Sequence, residues 1–193
     1  MRKLIMSVIL LFVSILPSQA DHESFYKVHN LLISAGNDPD KIQDVISVIS
    51  DEIEKDPDNR DLLRLRVKIY TSTGKLHEAY KDILCLVSLK PEVSMYQYWK
   101  CIFEESFENL NKSCLQCYEK AYELAAVELG DKKDNDFGYI CLLLLAENPR
   151  GQILAEKFMQ TLTNSTEDQH LREMLENFDR KKFLPDYNPD SSQ

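Results

Sequence analysis

Asp58–Pro91 reads DNRDLLRLRVKIYTSTGKLHEAYKDILCLVSLKP, and the fold turns on how these 34 residues are read. The segment follows Pro57 and closes on Pro91. Its first half predicts an amphipathic helix over about 61–72, with Tyr70 near the end. Gly74 supplies a turn. Leu76, Ala79, Ile83, Leu86 and Val87 then recur at three and four residues, which is one face of a second helix over about 76–89. A helix, a glycine turn, a helix and a closing proline make one supersecondary unit.

The flanking sequence repeats the arrangement less regularly. On the N-terminal side, Phe25, Val28, Leu32 and Ala35 stripe a helix over 23–35, and Gly36-Asn37-Asp38 ends it. Asp38 is placed to cap the next helix, with Pro39 in its first turn. Ile42, Val45, Ile46, Ile49 and Ile53 line that helix, and Asp56-Pro57 closes it as Lys90-Pro91 closes the next unit. On the C-terminal side, a helix over about 95–107 carries Tyr98, Cys101 and Ile102 on its core stripe. Its partner carries Cys114, Tyr118, Ala121, Tyr122 and Leu124, and Asn109 stands where a turn glycine would be. After the polar stretch 130–136, the almost wholly apolar segment 137–146 predicts a helix buried on most sides. Asn148-Pro149 breaks it. Ile153, Leu154, Phe158 and Leu162 stripe the following helix, with Ala155 at a small packing position. Asn164-Ser165-Thr166-Glu167 opens a last helix to about Phe178, with Leu171, Met174, Leu175 and Phe178 facing inward. The segment 180–193 holds two prolines and few apolar residues and is expected to be irregular.

The 34-residue period, the glycine turn, the closing prolines and the small–aromatic–alanine pattern at Cys114, Tyr118 and Ala121 resemble the tetratricopeptide repeat (TPR) family. The resemblance is good over Arg60–Pro91, fair over Met95–Leu124 and loose elsewhere. It implies an all-α fold: a TPR-like stack of three to four antiparallel helix pairs over 21–179, ending in a C-terminal capping helix. The other fold these residues allow is a plain helical bundle. The chain departs from the family pattern at two first-helix positions. Leu63 and Tyr98 replace the consensus tryptophan, and Val67 and Ile102 replace the consensus glycine, so the superhelix is expected to be irregular. Because the two helices of one repeat lie side by side, the resemblance also implies a disulfide from Cys101 to Cys114 or Cys117.

In that family the first helix of each repeat faces a concave groove that takes a partner. Here the groove face would carry Tyr96, Trp99, Phe103 and Phe107, spaced by three, four and four. The opposite face of the same helix is already apolar. Either the aromatic stripe is covered by another helix or it is a binding surface, since Trp and Tyr are common interface anchors. The preceding repeat would add Arg64 and Lys68. Some family members clamp a carboxylate with basic and asparagine residues there, but the matching asparagines are absent. A solvated helix face is the plain alternative for Arg64 and Lys68.

Residues 1–20 form a different kind of segment. Arg2 and Lys3 precede the apolar run Ile5–Leu16, Pro17 follows it, and Ser18 and Ala20 offer small residues at −3 and −1 of a cleavage site. This is the pattern of a secretory signal peptide. An uncleaved anchor is the other reading, but the apolar run falls short of the ~20 residues a spanning helix needs. Cleavage removes two of the 23 basic residues and none of the 32 acidic ones, moving the formal charge from −9 to −11. Such a charge argues against nucleic acid or an anionic membrane as ligand and permits a basic partner. The expected location is the periplasm or the extracellular space, without stable membrane insertion.

All five cysteines follow the leader, where export lets disulfides persist. An odd count leaves at least one free or paired between chains. Cys114-Leu-Gln-Cys117 is a C-x-x-C inside a helix, without a βαβ setting or a second ligand pair, so neither a redox nor a zinc role is expected. None of the four histidines has a metalloprotease-type neighbour. No nucleophile elbow or phosphate loop appears. The pairs Glu104-Glu105 and Asp134/Asp136 read as solvated carboxylates. Asn111-Lys-Ser113 and Asn164-Ser-Thr166 match glycosylation sequons, which have meaning only in a eukaryotic secretory pathway.

No catalytic residue, metal or cofactor is expected, and three function classes remain. The first is an exported protein-binding module, for example an immunity protein neutralising a toxic effector in the periplasm. The second is a scaffold or chaperone for cell-envelope assembly. An enzyme whose site is not recognised comes last.

Overall fold

The computed structural model describes residues 22–36, 38–108 and 110–185. Residues 1–21, on which the signal-peptide expectation falls, Asn37, Asn109, where a turn was expected, and residues 186–193 lie outside them. The described residues are all-α, with nine α-helices and no strand among them. They divide into two compact units, one over residues up to Leu89 and one from Lys90 to Asp186.

The first unit holds two helix pairs: α1 (His22–Ala35) with α2 (Pro39–Lys55), and α3 (Arg60–Ser72) with α4 (Leu76–Leu89). Connections of three or four residues force each pair antiparallel. The start signals act as the sequence implies. Asp38 Oδ1 accepts from the backbone N–H groups of Asp40 and Lys41, with Pro39 at the first helical position. Asn59 Oδ1 caps α3 by accepting from Leu62 N at 3.1 Å. Val28, Ile49, Leu62, Leu63, Ala79, Ile83 and Leu86 are almost completely buried between the four helices. Val28, Ile49, Ala79, Ile83 and Leu86 belong to the stripes read above; Leu62 and Leu63 complete the core from α3.

Gly74 closes α3 in a Schellman turn. Lys75 N donates to Tyr70 O at 2.8 Å and Gly74 N to Thr71 O at 3.3 Å, with Gly74 at φ +77°. A Cβ there would meet nothing within 4 Å, so any substitution acts through backbone strain alone. Gly74→Val should therefore lower stability by about 1–2 kcal/mol. A urea melt that leaves the midpoint unchanged would contradict this.

Glu52 ties α1 to α2. It accepts from Lys55 at 3.0 Å, Ser24 at 3.0 Å and Lys27 at 3.3 Å. These hydrogen bonds, Lys55's first, hold its carboxyl at about 2, below the usual 4.5. The folded pKa is depressed, so the stabilisation is complete above pH 4.5 and is lost as the pH falls toward 2. Glu52→Gln should flatten the acid limb of the stability curve in that window. An acid melt of the variant superimposing on wild type would refute it.

The second unit holds α5 (Ser94–Glu108) with α6 (Lys112–Leu129), a 3-10 turn (Gly130–Asn135), α7 (Phe137–Leu145) with α8 (Pro149–Thr161), then α9 (Thr166–Glu176) and a second 3-10 turn (Arg180–Phe183). Asn111 Oδ1 caps α6, accepting from Cys114 N at 3.0 Å. Cys101 and Cys117 are joined as a disulfide across the α5–α6 pair, with Cα atoms 5.5 Å apart. Outside that disulfide, Cys114 and Cys141 are buried and Cys85 is exposed. The apolar segment 137–146 is buried on most sides, as expected: Tyr139, Ile140, Cys141, Leu142, Leu143 and Leu145 are all covered.

Three expectations for this unit need correction. Ile153 is 54 % exposed; the buried side of α8 is Leu154 and Ala155, one residue round the helix. The last helix stops at Glu176, short of Phe178, and buries only Leu175. The tail begins with an ordered 3-10 turn whose Asp179 side chain accepts from Lys181 N.

The α7–α8 pair is unusually close. A Cβ on Gly151 would lie 3.0 Å from Leu144 N and 3.1 Å from Leu143 C. In an open helix Gly→Ala is stabilising by about 1 kcal/mol. Here the obstruction is backbone, which cannot rotate away, so overpacking of about 1–3 kcal/mol should win. Gly151→Ala is expected to lower the unfolding midpoint, and a rise would show that the helices part freely.

Candidate partner-binding surface

Two groups of residues were singled out by the sequence, and they fare differently. The aromatic stripe lies on α5, where spacings of three and four put Tyr96, Trp99, Phe103 and Phe107 on one face. That face is not open. Tyr96 is 4 %, Trp99 7 % and Phe103 3 % exposed, and Phe107 is half-buried. The rings pack along the helix, Tyr96 against Trp99 at 6.0 Å and Phe103 edge-on to Phe107 at 6.1 Å between centroids. The opposite face, through Cys101 and Ile102, is buried as well. Helix α5 is thus covered on both apolar faces, and of the two alternatives the sequence leaves open, the burial of Trp99 fits the covered stripe.

Such a helix must also satisfy its polar side chains. Glu128 on α6 reaches back to accept from Ser94 N at 2.7 Å and Ser94 Oγ at 2.6 Å, capping the start of α5. Glu105, read from sequence as one of two solvated carboxylates, is 3 % exposed. It accepts from Tyr118 Oη at 2.8 Å and from Arg180 at 2.8 Å. Burial, followed by the Glu105 charge and hydrogen bond, pushes the Tyr118 phenol well above its ordinary range. Its hydroxyl therefore stays protonated and keeps donating. No local pattern singles out Glu105, because its partners lie 13 and 75 residues away.

Arg64 and Lys68 lie one turn apart on α3. Arg64 NH1 donates to Asp61 at 3.3 Å, and the Arg64 side chain is only 12 % exposed. Among the described residues its Nε finds no acceptor. Lys68 is half-buried. Burial, and then the neighbouring Arg64 charge, lower its pKa. Two cations are therefore held side by side, with the Asp61 carboxylate set against Arg64, on a chain whose formal charge is −9. Lys68 would gain from an incoming carboxylate or carbonyl oxygen, whereas the Arg64 Nε is buried.

No group of three or more metal-binding side chains occurs among the described residues. A cleft between α1 and α2, lined by Leu31, Ser34, Ala35, Lys41, Asp44, Val45 and Val48, encloses about 160 Å³. That is below the ~300 Å³ at which small-molecule sites begin. No helix among the described residues is long and apolar enough to cross a membrane.

No protein-family model and no curated protein sequence matches this chain. Among solved structures, a point mutant of the O-GlcNAc transferase of Thermobaculum terrenum is similar at 17 % sequence identity and a TM-score of 0.48. The match covers 75 % of this chain and 27 % of that one, so this chain spans less than a third of that protein's length. A likeness at that level bears on neither activity nor partner. The repeat assignment stands on this chain's own helix pairs, turn and caps.

Proposed function

We propose that the protein is an exported, non-enzymatic module that binds one protein or peptide partner. The observation that carries this reading is the pair Arg64 and Lys68, two neighbouring cations on the first helix of the best-formed repeat, both half-buried. Antiparallel helix pairs are a common scaffold for presenting such groups to another chain.

The leader over residues 1–20 assigns the module to the periplasm or the extracellular space. There we favour an immunity protein, neutralising a toxic effector by occupying it. Fractionation should find a mature protein that lacks the leader, outside the cytoplasm. A cytoplasmic protein retaining Met1 would remove both the location and the immunity role. Purification of the mature protein with its bound partner, as wild type and as Arg64→Ala/Lys68→Ala, tests the surface. The double variant loses the Arg64–Asp61 ion pair along with the like-charge pair, so its melting temperature is measured beside binding; while still folded it should bind about ten-fold more weakly or worse, as loss of an arginine anchor does. Equal binding would discard these two residues. Capture of many unfolded envelope proteins in place of one effector would replace the immunity reading with a scaffold or chaperone.

A further inference from the structure

The buried carboxylate of Glu105 is held by three elements that recognise one kind of group. Tyr118 on α6 and Arg180 in the last 3-10 turn both donate to Glu105 Oε2, each at 2.8 Å. The second terminal nitrogen of Arg180 donates to the carbonyl of Leu145, the last residue of α7, and lies 3.6 Å from the Glu147 carboxylate. The guanidinium sits over the Tyr118 ring, 5.6 Å from its centroid. A buried carboxylate, a helix-end carbonyl and an aromatic face suit a planar fork of donors and not a point charge.

The walls and the occupant differ in how firmly they are held. Glu105, Tyr118 and Leu145 sit on core helices, with Tyr118 and Leu145 fully buried. Arg180 arrives on a segment led in by α9, which buries only Leu175. Within that segment Phe178 packs on Phe183 at 5.1 Å, and Lys181 and Lys182 are exposed. Its anchors in the unit are Arg180 and the buried Pro185.

We propose that Glu105, Tyr118 and the Leu145 carbonyl form an arginine-binding site, filled at rest by Arg180 of the chain's own C-terminal segment and taken by an arginine of the protein partner when that segment detaches. The partner half rests on the binding-module reading above; the vacatable site does not. The acidic net charge of −9 favours a partner with a basic, arginine-bearing segment. The tethered Arg180 is present at high effective concentration, so a competing arginine must bring contacts of its own.

The test uses the full chain carrying Arg180→Ala. Its probes are N-ethylguanidine, with ethylammonium as control, and a synthetic peptide of residues 177–185, NFDRKKFLP. The variant should melt below wild type, regain part of the loss with N-ethylguanidine and not with ethylammonium, and bind the peptide. Wild type, its site filled, should bind the peptide at least about ten-fold more weakly. Adding Glu105→Gln should abolish both responses. A folded variant indifferent to both probes overturns the proposal. So does a variant that does not fold, because the site then cannot be vacated. In wild type, amides of residues 180–184 should exchange with solvent through an opening smaller than global unfolding; exchange only by global unfolding also overturns it. If the peptide binds as stated but the bound partner presents no arginine, the vacatable site stands and its partner half fails; the binding-module reading fails only if the purified protein carries no partner.

Discussion

Trp99→Ala should cost about 3–5 kcal/mol of folding stability, the range for removing a large aromatic from a packed interior. Trp99 is 7 % exposed, between Tyr96 at 4 % and Phe103 at 3 % on the same helix face. The other face of α5 is closed by Cys101 and Ile102, so the helix cannot roll to refill the space. The cavity would remain, with its walls lacking contacts. Trp99 is the chain's single tryptophan, which makes its fluorescence unambiguous: a neutral quencher such as acrylamide should reach it poorly in the native protein. An interface anchor would behave in the opposite way, quenched in the free protein and removable with little loss of stability. A quenchable Trp99 together with an alanine variant that melts like wild type would return the aromatic stripe to the surface.

The second large effect lies in the first unit. Asp82 is 4 % exposed and accepts from Arg66 Nε at 2.8 Å and NH2 at 2.7 Å, a two-pronged pair. Arg66 NH1 also donates to Ser50 Oγ at 2.9 Å, so α2, α3 and α4 are pinned at one point. The guanidinium lies over the Tyr70 ring, 5.7 Å from its centroid. Burial works against the Arg66 charge, but the Asp82 carboxylate more than compensates, and Arg66 holds its proton more tightly than usual. Asp82→Ala strands that charge in a half-buried site and should cost about 3–5 kcal/mol. Replacing both partners, Arg66→Met with Asp82→Leu, should recover most of the loss, since the pair's net worth against apolar side chains is small. The cycle is read by urea denaturation of wild type, the two single variants and the double variant. Single losses that simply add in the double variant would show that the two residues do not act as a pair.

Elements were legible in the sequence where the signal was local. Gly74 marked a turn because few other residues accept its left-handed backbone. Asp38-Pro39 marked a helix start because a capping side chain and a proline leave an identifiable pair. Asn148-Pro149 was read only as the break that ends the apolar segment 137–146; the residue that makes the turn, Glu147 at φ +55°, announces nothing as a glutamate. Ile153 misled because apolar character was taken as burial, whereas single exposed apolar side chains are ordinary on a protein surface.

From the sequence alone came the all-α class, the helix pairs and the turn at Gly74, because caps, glycine turns and the 3.6-residue period act within a few residues of chain; the choice of Cys101 with Cys114 or Cys117 was what the resemblance to a helix-pair repeat implied. Only the tertiary structure decided which side of α5 is closed. A helix with two apolar faces looks the same in sequence whether the second face meets water, a partner or its own chain. The structure also chose Cys117 over Cys114, since both lie on one helix and only one is turned to Cys101. It placed Glu105, Tyr118 and Arg180 together. Their meeting depends on how α5, α6, α7 and the C-terminal turn converge, and a contact across 75 residues leaves no periodicity to read.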